Sequence, residues 1–168
     1  MALGVRSRGL RTGLRDERGS ALVELAFFVT FFATPLLLGT ADMGFLVYDS
    51  IEITNAAHAA AAYGMQSATL AANNAGMTTA AQTEAADFGT AVTVSPTTYY
   101  ACATAVDGTQ YTGSNAKSNA TAACTGTSNH ALQFVQVNTS ALVTPPIRFP
   151  GLPVSFTVRG TSVMEVEQ

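Results

Sequence analysis

Between Glu24 and Asp42 run seventeen residues without a formal charge, Leu25 to Ala41, and four of the nine phenylalanines crowd into positions 27–32. Extended through Ala21–Val23 on one side and Met43–Val47 on the other, the stretch reaches the ~20 mostly apolar residues that a helix needs to cross a bilayer. A core helix of a soluble domain carries a polar stripe at helical spacing. Thr30, Thr34 and Thr40 are too few and too weakly polar to form one. The segment 20–48 is therefore expected to lie in a membrane, and the rest of the chain must be organised around that.

Charge is distributed to match. Five arginines (Arg6, Arg8, Arg11, Arg15 and Arg18) and two acidic residues give residues 1–19 a net +3, whereas three basic and nine acidic residues give 20–168 a net −6. Basic flanks remain cytoplasmic, so the N-terminus is expected inside and the chain beyond about residue 48 outside. An acidic body of this kind repels phosphate, which excludes a general nucleic-acid binder. A secretory signal peptide has a shorter apolar core and a small-residue cleavage site after it. No clear A-x-A site ends this stretch, so the helix is expected to stay as an anchor.

Glu24 is the informative residue, because an acidic side chain costs roughly 2.5–3.5 kcal/mol at the centre of a spanning helix and less near its edge. Near the start of the span its carboxylate can reach water. Its neighbours, Arg18-Gly19-Ser20-Ala21-Leu22-Val23-Glu24, suggest more. A cut after Gly19 makes Ser20 the N-terminus and Glu24 the fifth residue. An α-amino group, with a pKa near 8, is cationic at neutral pH. The i,i+4 spacing puts it on the same helix face as Glu24, whose carboxylate can neutralise that amine or a neighbour's.

Gly19, Glu24 and the apolar helix after them look like a type IV-type prepilin signal. The longer string RGSALVELAFF…P…GTADMGFLVYDSIEITNAAHAAAAYG, residues 18–64, resembles the TadE-like minor pseudopilins of the tight-adherence (Flp) pilus system. The resemblance implies processing between Gly19 and Ser20 and a role for Glu24 as partner of the new amine in assembly. Pro35, which removes a helix hydrogen bond, is expected to kink the helix, either passively or as the point where it bends on leaving the bilayer. The resemblance also implies partners: the membrane, a prepilin peptidase, other pilins and pseudopilins, and the pilus secretion machinery. The expected place is the bacterial inner membrane, single-pass, with the outer domain periplasmic or extracellular. After cleavage 149 residues remain, keeping only Lys117, Arg148 and Arg159 as basic side chains. The competing expectations are an unprocessed single-pass periplasmic adaptor or binding protein, and a membrane-anchored enzyme.

Beyond the span, Asp49–Ile53 leads into AAHAAAAYGM, residues 56–65. Alanine is the strongest helix former, and its small side chain lets another element approach closely. That element is either the rest of the same domain or, in an assembly, another subunit. Gly64 is a candidate stop. From Ser20 to Tyr63 a continuous helix spans ~65 Å. A short helix is expected over 78–88. Strands are expected at Val92–Val94, Tyr99–Val106, Leu132–Val137 and Val154–Val158, the last running on toward Val166, with turn-rich stretches at 112–129 and 144–153. The predicted fold class is α+β: a leader (1–19), a helix (20–66), and a small outer domain with an antiparallel sheet (67–168).

Cys102 and Cys124, the only cysteines, both fall outside the membrane, where two lone cysteines usually pair. Closing that 22-residue loop is worth about 3 kcal/mol in the chain-entropy model. No catalytic, metal or cofactor motif emerges. His58 and His130 lack partners at metal-ligand spacing, no GxSxG or phosphate-cradling glycine loop occurs, and Glu84 and Asp87 read as a solvated pair on a helix face. Neither enzyme activity nor a small-molecule substrate is expected. Asn138-Thr139-Ser140 fits a glycosylation sequon, incidental in a bacterial protein.

Overall fold

The computed structural model describes residues 13–126, 128–147 and 153–167. Most of the basic leader, Arg148 and part of the turn-rich stretch 144–153 lie outside the described residues. The chain divides into two compact units, Met1–Met43 and Gly44–Gln168.

The described residues of the first unit are helical. Helix α1 spans Gly13–Phe28, a π-helical segment spans Val29–Ala33, and α2 (Thr34–Met65) begins directly after it. The π segment sits just ahead of Pro35. Proline has no N–H to donate, and in an α-helix its ring collides with the carbonyl four residues earlier. A wider turn is one way a helix absorbs that conflict. Thr34 consolidates it by donating both its backbone N–H and, at 2.9 Å, its hydroxyl to the Val29 carbonyl. Thr40 likewise donates its hydroxyl to the Leu37 carbonyl at 2.8 Å. Two of the three threonines thus satisfy their polar groups on their own backbone, as a lipid environment requires. Phe27 stacks on Phe31 at 5.8 Å and Phe28 on Phe32 at 5.7 Å, each an i,i+4 pair.

The second unit is α+β. A three-stranded antiparallel sheet, in the order β1 (Thr93–Cys102), β2 (Ala131–Val143), β3 (Phe156–Glu165), covers the C-terminal part of α2. Helices α3 (Ala68–Ala71) and α4 (Asn74–Glu84) follow α2, and α5 (Ala116–Ala123) lies between β1 and β2. Ile53, Ala56, Ala60 and Ala61 of α2 pack with Met77 and Ala81 of α4 and with Val135 and Val137 of β2. All eight are fully buried. The alanine face therefore serves the domain's own sheet, the first of the two uses its composition allows.

How closely the sheet approaches is visible at two points. The Thr139 hydroxyl donates to the Ile53 carbonyl of α2 at 2.7 Å, a buried tie between sheet and helix. Opposite it in the register stands Gly160, where a Cβ would lie 2.6 Å from the Ile53 carbonyl oxygen and 2.7 Å from Thr54 Cα. Gly64 plays a related part. The helix ends one residue later, at Met65, and a Cβ on Gly64 would meet Met77 Sδ at 2.8 Å and Val135 at 3.1 Å. Its service is clearance for packing, and a left-handed cap is not used there.

Three local expectations shift. The helix expected over 78–88 starts earlier because Asn73 caps it, accepting the Gly76 N–H at 3.0 Å. The two strands expected on either side of Pro96 are one strand, β1, and it stops at Cys102 instead of reaching Val106. Within 112–129 the segment Ala116–Ala123 is helical, burying Ala116 and Ala120, although its Ser, Asn and Thr content reads as loop. Helix α5 packs on β1 and β2. There Tyr99 and Phe134 stack at 5.4 Å, and Cys102 and Cys124 are joined with Cα atoms 5.3 Å apart. Burial first, and the negative Asp107 second, push the Tyr99 hydroxyl above the ordinary tyrosine range.

Candidate functional site

The residues singled out at the head of the chain are brought together by one helix. Gly19, Ser20 and Glu24 all lie in α1, with Ser20 and Glu24 exposed and one turn apart. Gly19 has open space around it, and a Cβ there would touch nothing within 4 Å. Glycine costs a helix about 1 kcal/mol relative to alanine, which eases local opening of this turn. Among the described residues the Glu24 carboxylate has no ion-pair partner.

The apolar residues following Glu24 are bare. Leu25, Phe27, Phe28, Phe31, Phe32 and Leu36 are 57–70% exposed, and none of the most apolar 18-residue window within Gly19–Met65 is buried. A water-soluble monomer rarely leaves so large a continuous apolar surface uncovered. The helix is long and apolar enough to cross a membrane, and its exposure is compatible with single-pass anchoring.

A second polar assembly lies in the other unit, beyond the apolar stretch. Asp87 donates its backbone N–H to Glu52 Oε1 at 3.0 Å, and the Tyr48 hydroxyl reaches Asp87 Oδ2 at 3.5 Å. The other Glu52 oxygen is buried, with no partner among the described residues. These residues, with Asn55 and Glu84, line a cavity of about 260 Å³. Sequence reasoning missed Glu52, seen only as one polar residue in a helical pattern. It also placed Asp87 with Glu84 on one helix face. Helix α4 ends at Glu84, and Asp87 belongs to the turn that α2 holds through Glu52. Contacts 35 residues apart leave no local signal.

His58 and His130 are both exposed, one on α2 and one ahead of β2. No group of three His, Cys, Asp or Glu side chains able to hold a metal occurs among the described residues. Thr139 of the sequon is committed to the Ile53 carbonyl, and Asn138 accepts the Thr161 hydroxyl at 2.8 Å.

These features define a class: proteins that lead with an apolar helix left bare by their own fold, marked by a glycine and a glutamate five residues apart, and followed by a small α+β domain. The family model described as TadE-like protein matches residues 19–62. The match thus begins at Gly19 and is confined to the long helix, and residues 63–168 lie beyond it. No curated protein and no solved structure matches the chain.

Proposed function

We propose that this chain is a pseudopilin that takes part in assembling a tight-adherence (Flp) pilus for surface adherence. A TadE-like helix implies a protein associated with that pilus system. The finer assignment rests on where the match begins, at the glycine that ends the basic leader. A prepilin peptidase cuts between Gly19 and Ser20. The mature helix stays in the bacterial inner membrane as a single pass, its N-terminal side cytoplasmic and its α+β domain outside. Glu24 neutralises the new α-amine, its own or a neighbouring pilin's, in low dielectric. Pro35, with the π segment before it, is where the helix bends on leaving the bilayer for a pilus-like bundle. The role is structural and requires no cofactor or small-molecule substrate.

Mass spectrometry of the mature N-terminus tests the first step. A free or methylated Ser20 supports processing, whereas a chain purified with its Met1 leader intact fits the unprocessed adaptor and removes the pseudopilin assignment. The variant Glu24→Gln tests the second. It should insert into the membrane normally and fail in pilus assembly. Normal pili in that strain would show that Glu24 is not the amine's partner.

A further inference from the structure

The two edges of the sheet are treated differently. The direction in which each edge residue aims its backbone follows from two hydrogen bonds. Ala103 N–H donates to the His130 carbonyl at 2.9 Å, continuing the register of β1 on β2, and Val166 N–H donates to the Gln133 carbonyl at 2.9 Å, continuing that of β3 on β2. Antiparallel ladders alternate. Even-numbered residues of β1 and odd-numbered residues of β3 therefore aim their N–H and C=O groups away from β2.

The outer side of β1 is blocked at three of its five outward positions. Pro96 occupies an outward position and offers no donor, a common device for blunting an edge. Tyr100 exchanges both backbone hydrogen bonds with Tyr111, at 2.9 and 2.8 Å, and the Cys102 carbonyl accepts from Ala105 N–H at 2.9 Å. On β3 the outward residues Thr157, Arg159, Thr161, Val163 and Glu165 have no backbone partner among the described residues, because β3 ends the sheet. No proline or bulge interrupts that row. Its end is defined, since Glu167 N–H is taken by the Met65 carbonyl at 2.7 Å.

We propose that the outer edge of β3 pairs antiparallel with β3 of a second copy, about a two-fold axis at Ser162. The charges select this register. It sets Arg159 opposite Glu165 of the other copy, twice, and Thr161 opposite Val163. All four side chains are exposed on one face of the sheet. Opposite charges directly across a ladder are favourable and like charges are not. A two-fold axis at Thr161 places Arg159 opposite Val163. An axis at Val163 places it opposite Glu167, whose N–H is already committed to Met65. The pairing joins two three-stranded sheets into one of six strands. It does not depend on the pilus role proposed above.

The test uses the full chain in its membrane. At the axis the two Ser162 residues form a non-hydrogen-bonded pair with Cα atoms ~4.5 Å apart, within disulfide range. Ser162→Cys should give a reducible dimer of twice the chain's mass. Adding Arg159→Glu should abolish that dimer, and adding Glu165→Arg to both should restore it. Ser95→Cys on the blocked β1 edge should give none. Melting temperature and the intact Cys102–Cys124 bond verify folding in every variant. A natively melting Ser162→Cys chain that stays monomeric overturns the proposal. Equal crosslinking from Ser95→Cys, no rescue by the double charge reversal, or a product of another mass does the same.

Discussion

Gly160→Ala is the sharpest probe of how the outer domain is held on its helix. At an open strand position this substitution stabilises a protein by about 0.4–1 kcal/mol, because alanine restricts the unfolded chain. At Gly160 the new methyl would lie 2.6 Å from the Ile53 carbonyl oxygen, 2.7 Å from Thr54 Cα and 2.8 Å from Thr139 Oγ1. Two of those atoms are helix backbone and cannot swing aside, so β3 has to retreat from α2. Overpacking of this kind costs about 1–3 kcal/mol. Retreat also stretches the Thr139–Ile53 hydrogen bond, 2.7 Å and buried, and an unsatisfied buried hydroxyl adds about 1 kcal/mol or more. A total of about 2–4 kcal/mol is a large share of the ~5–15 kcal/mol that a domain possesses. At ~3–5 °C per kcal/mol for a unit of this size, thermal melting of the detergent-solubilised chain, followed by circular dichroism, should drop by roughly 6–20 °C. Thr139→Val, which keeps the shape and removes the hydroxyl, should lose only about 1 kcal/mol. A Gly160→Ala chain that melts at or above the native temperature would refute the close apposition of β3 and α2.

Three further outcomes follow from named groups. Because the folded-state pKa of Tyr99 is raised, its contribution is complete below about pH 10, the unfolded value, and is lost as pH climbs through the folded one. Alkaline unfolding should coincide with the late rise of one tyrosinate absorbance, and Tyr99→Phe should resist to a higher pH. Replacing both Cys102 and Cys124 by serine should cost about 3 kcal/mol by the loop model, read as a lower urea midpoint, with the greatest loss of hydrogen-exchange protection in α5. Gly76→Ala should destabilise through Tyr63, whose ring lies about 2.5 Å from the position of the added Cβ. Truncating the ring in the double variant Gly76→Ala/Tyr63→Leu should recover part of that loss.

Features carried by short-range chemistry were legible in the sequence. The bare helix is announced by uncharged length, the disulfide by two lone cysteines beyond the apolar stretch, and the strands by β-branched and aromatic runs. Misplaced features depend on partners far along the chain. Pro96 looks like a break between strands because proline cannot donate to a ladder. It is tolerated because β1 is an edge, a property of the sheet and not of its neighbours in sequence. Helix α5 hides in a polar stretch, since its buried residues are two alanines and its partners, β1 and β2, lie outside the segment, with Cys124 at its end joined to Cys102 of β1. Glu52 acquires its role only when Asp87, 35 residues away, turns its N–H toward it.

The alanine-rich helix narrows where subunits can meet. Two elements cannot occupy one face, and the face made by Ile53, Ala56, Ala60 and Ala61 is already filled by β2 and α4. For another subunit to use those alanines it would have to displace the domain's own sheet. That would break the Thr139–Ile53 tie and expose Val135 and Val137, each costing about 1.5–3 kcal/mol to return to water. Contacts between subunits must therefore use what the fold leaves uncovered. One such surface is the phenylalanine-rich head of the helix, which lipid or other apolar helices can cover at no desolvation cost. A second is the outer edge of β3, whose backbone groups have no partner among the described residues and whose charges suit a strand of the same sequence.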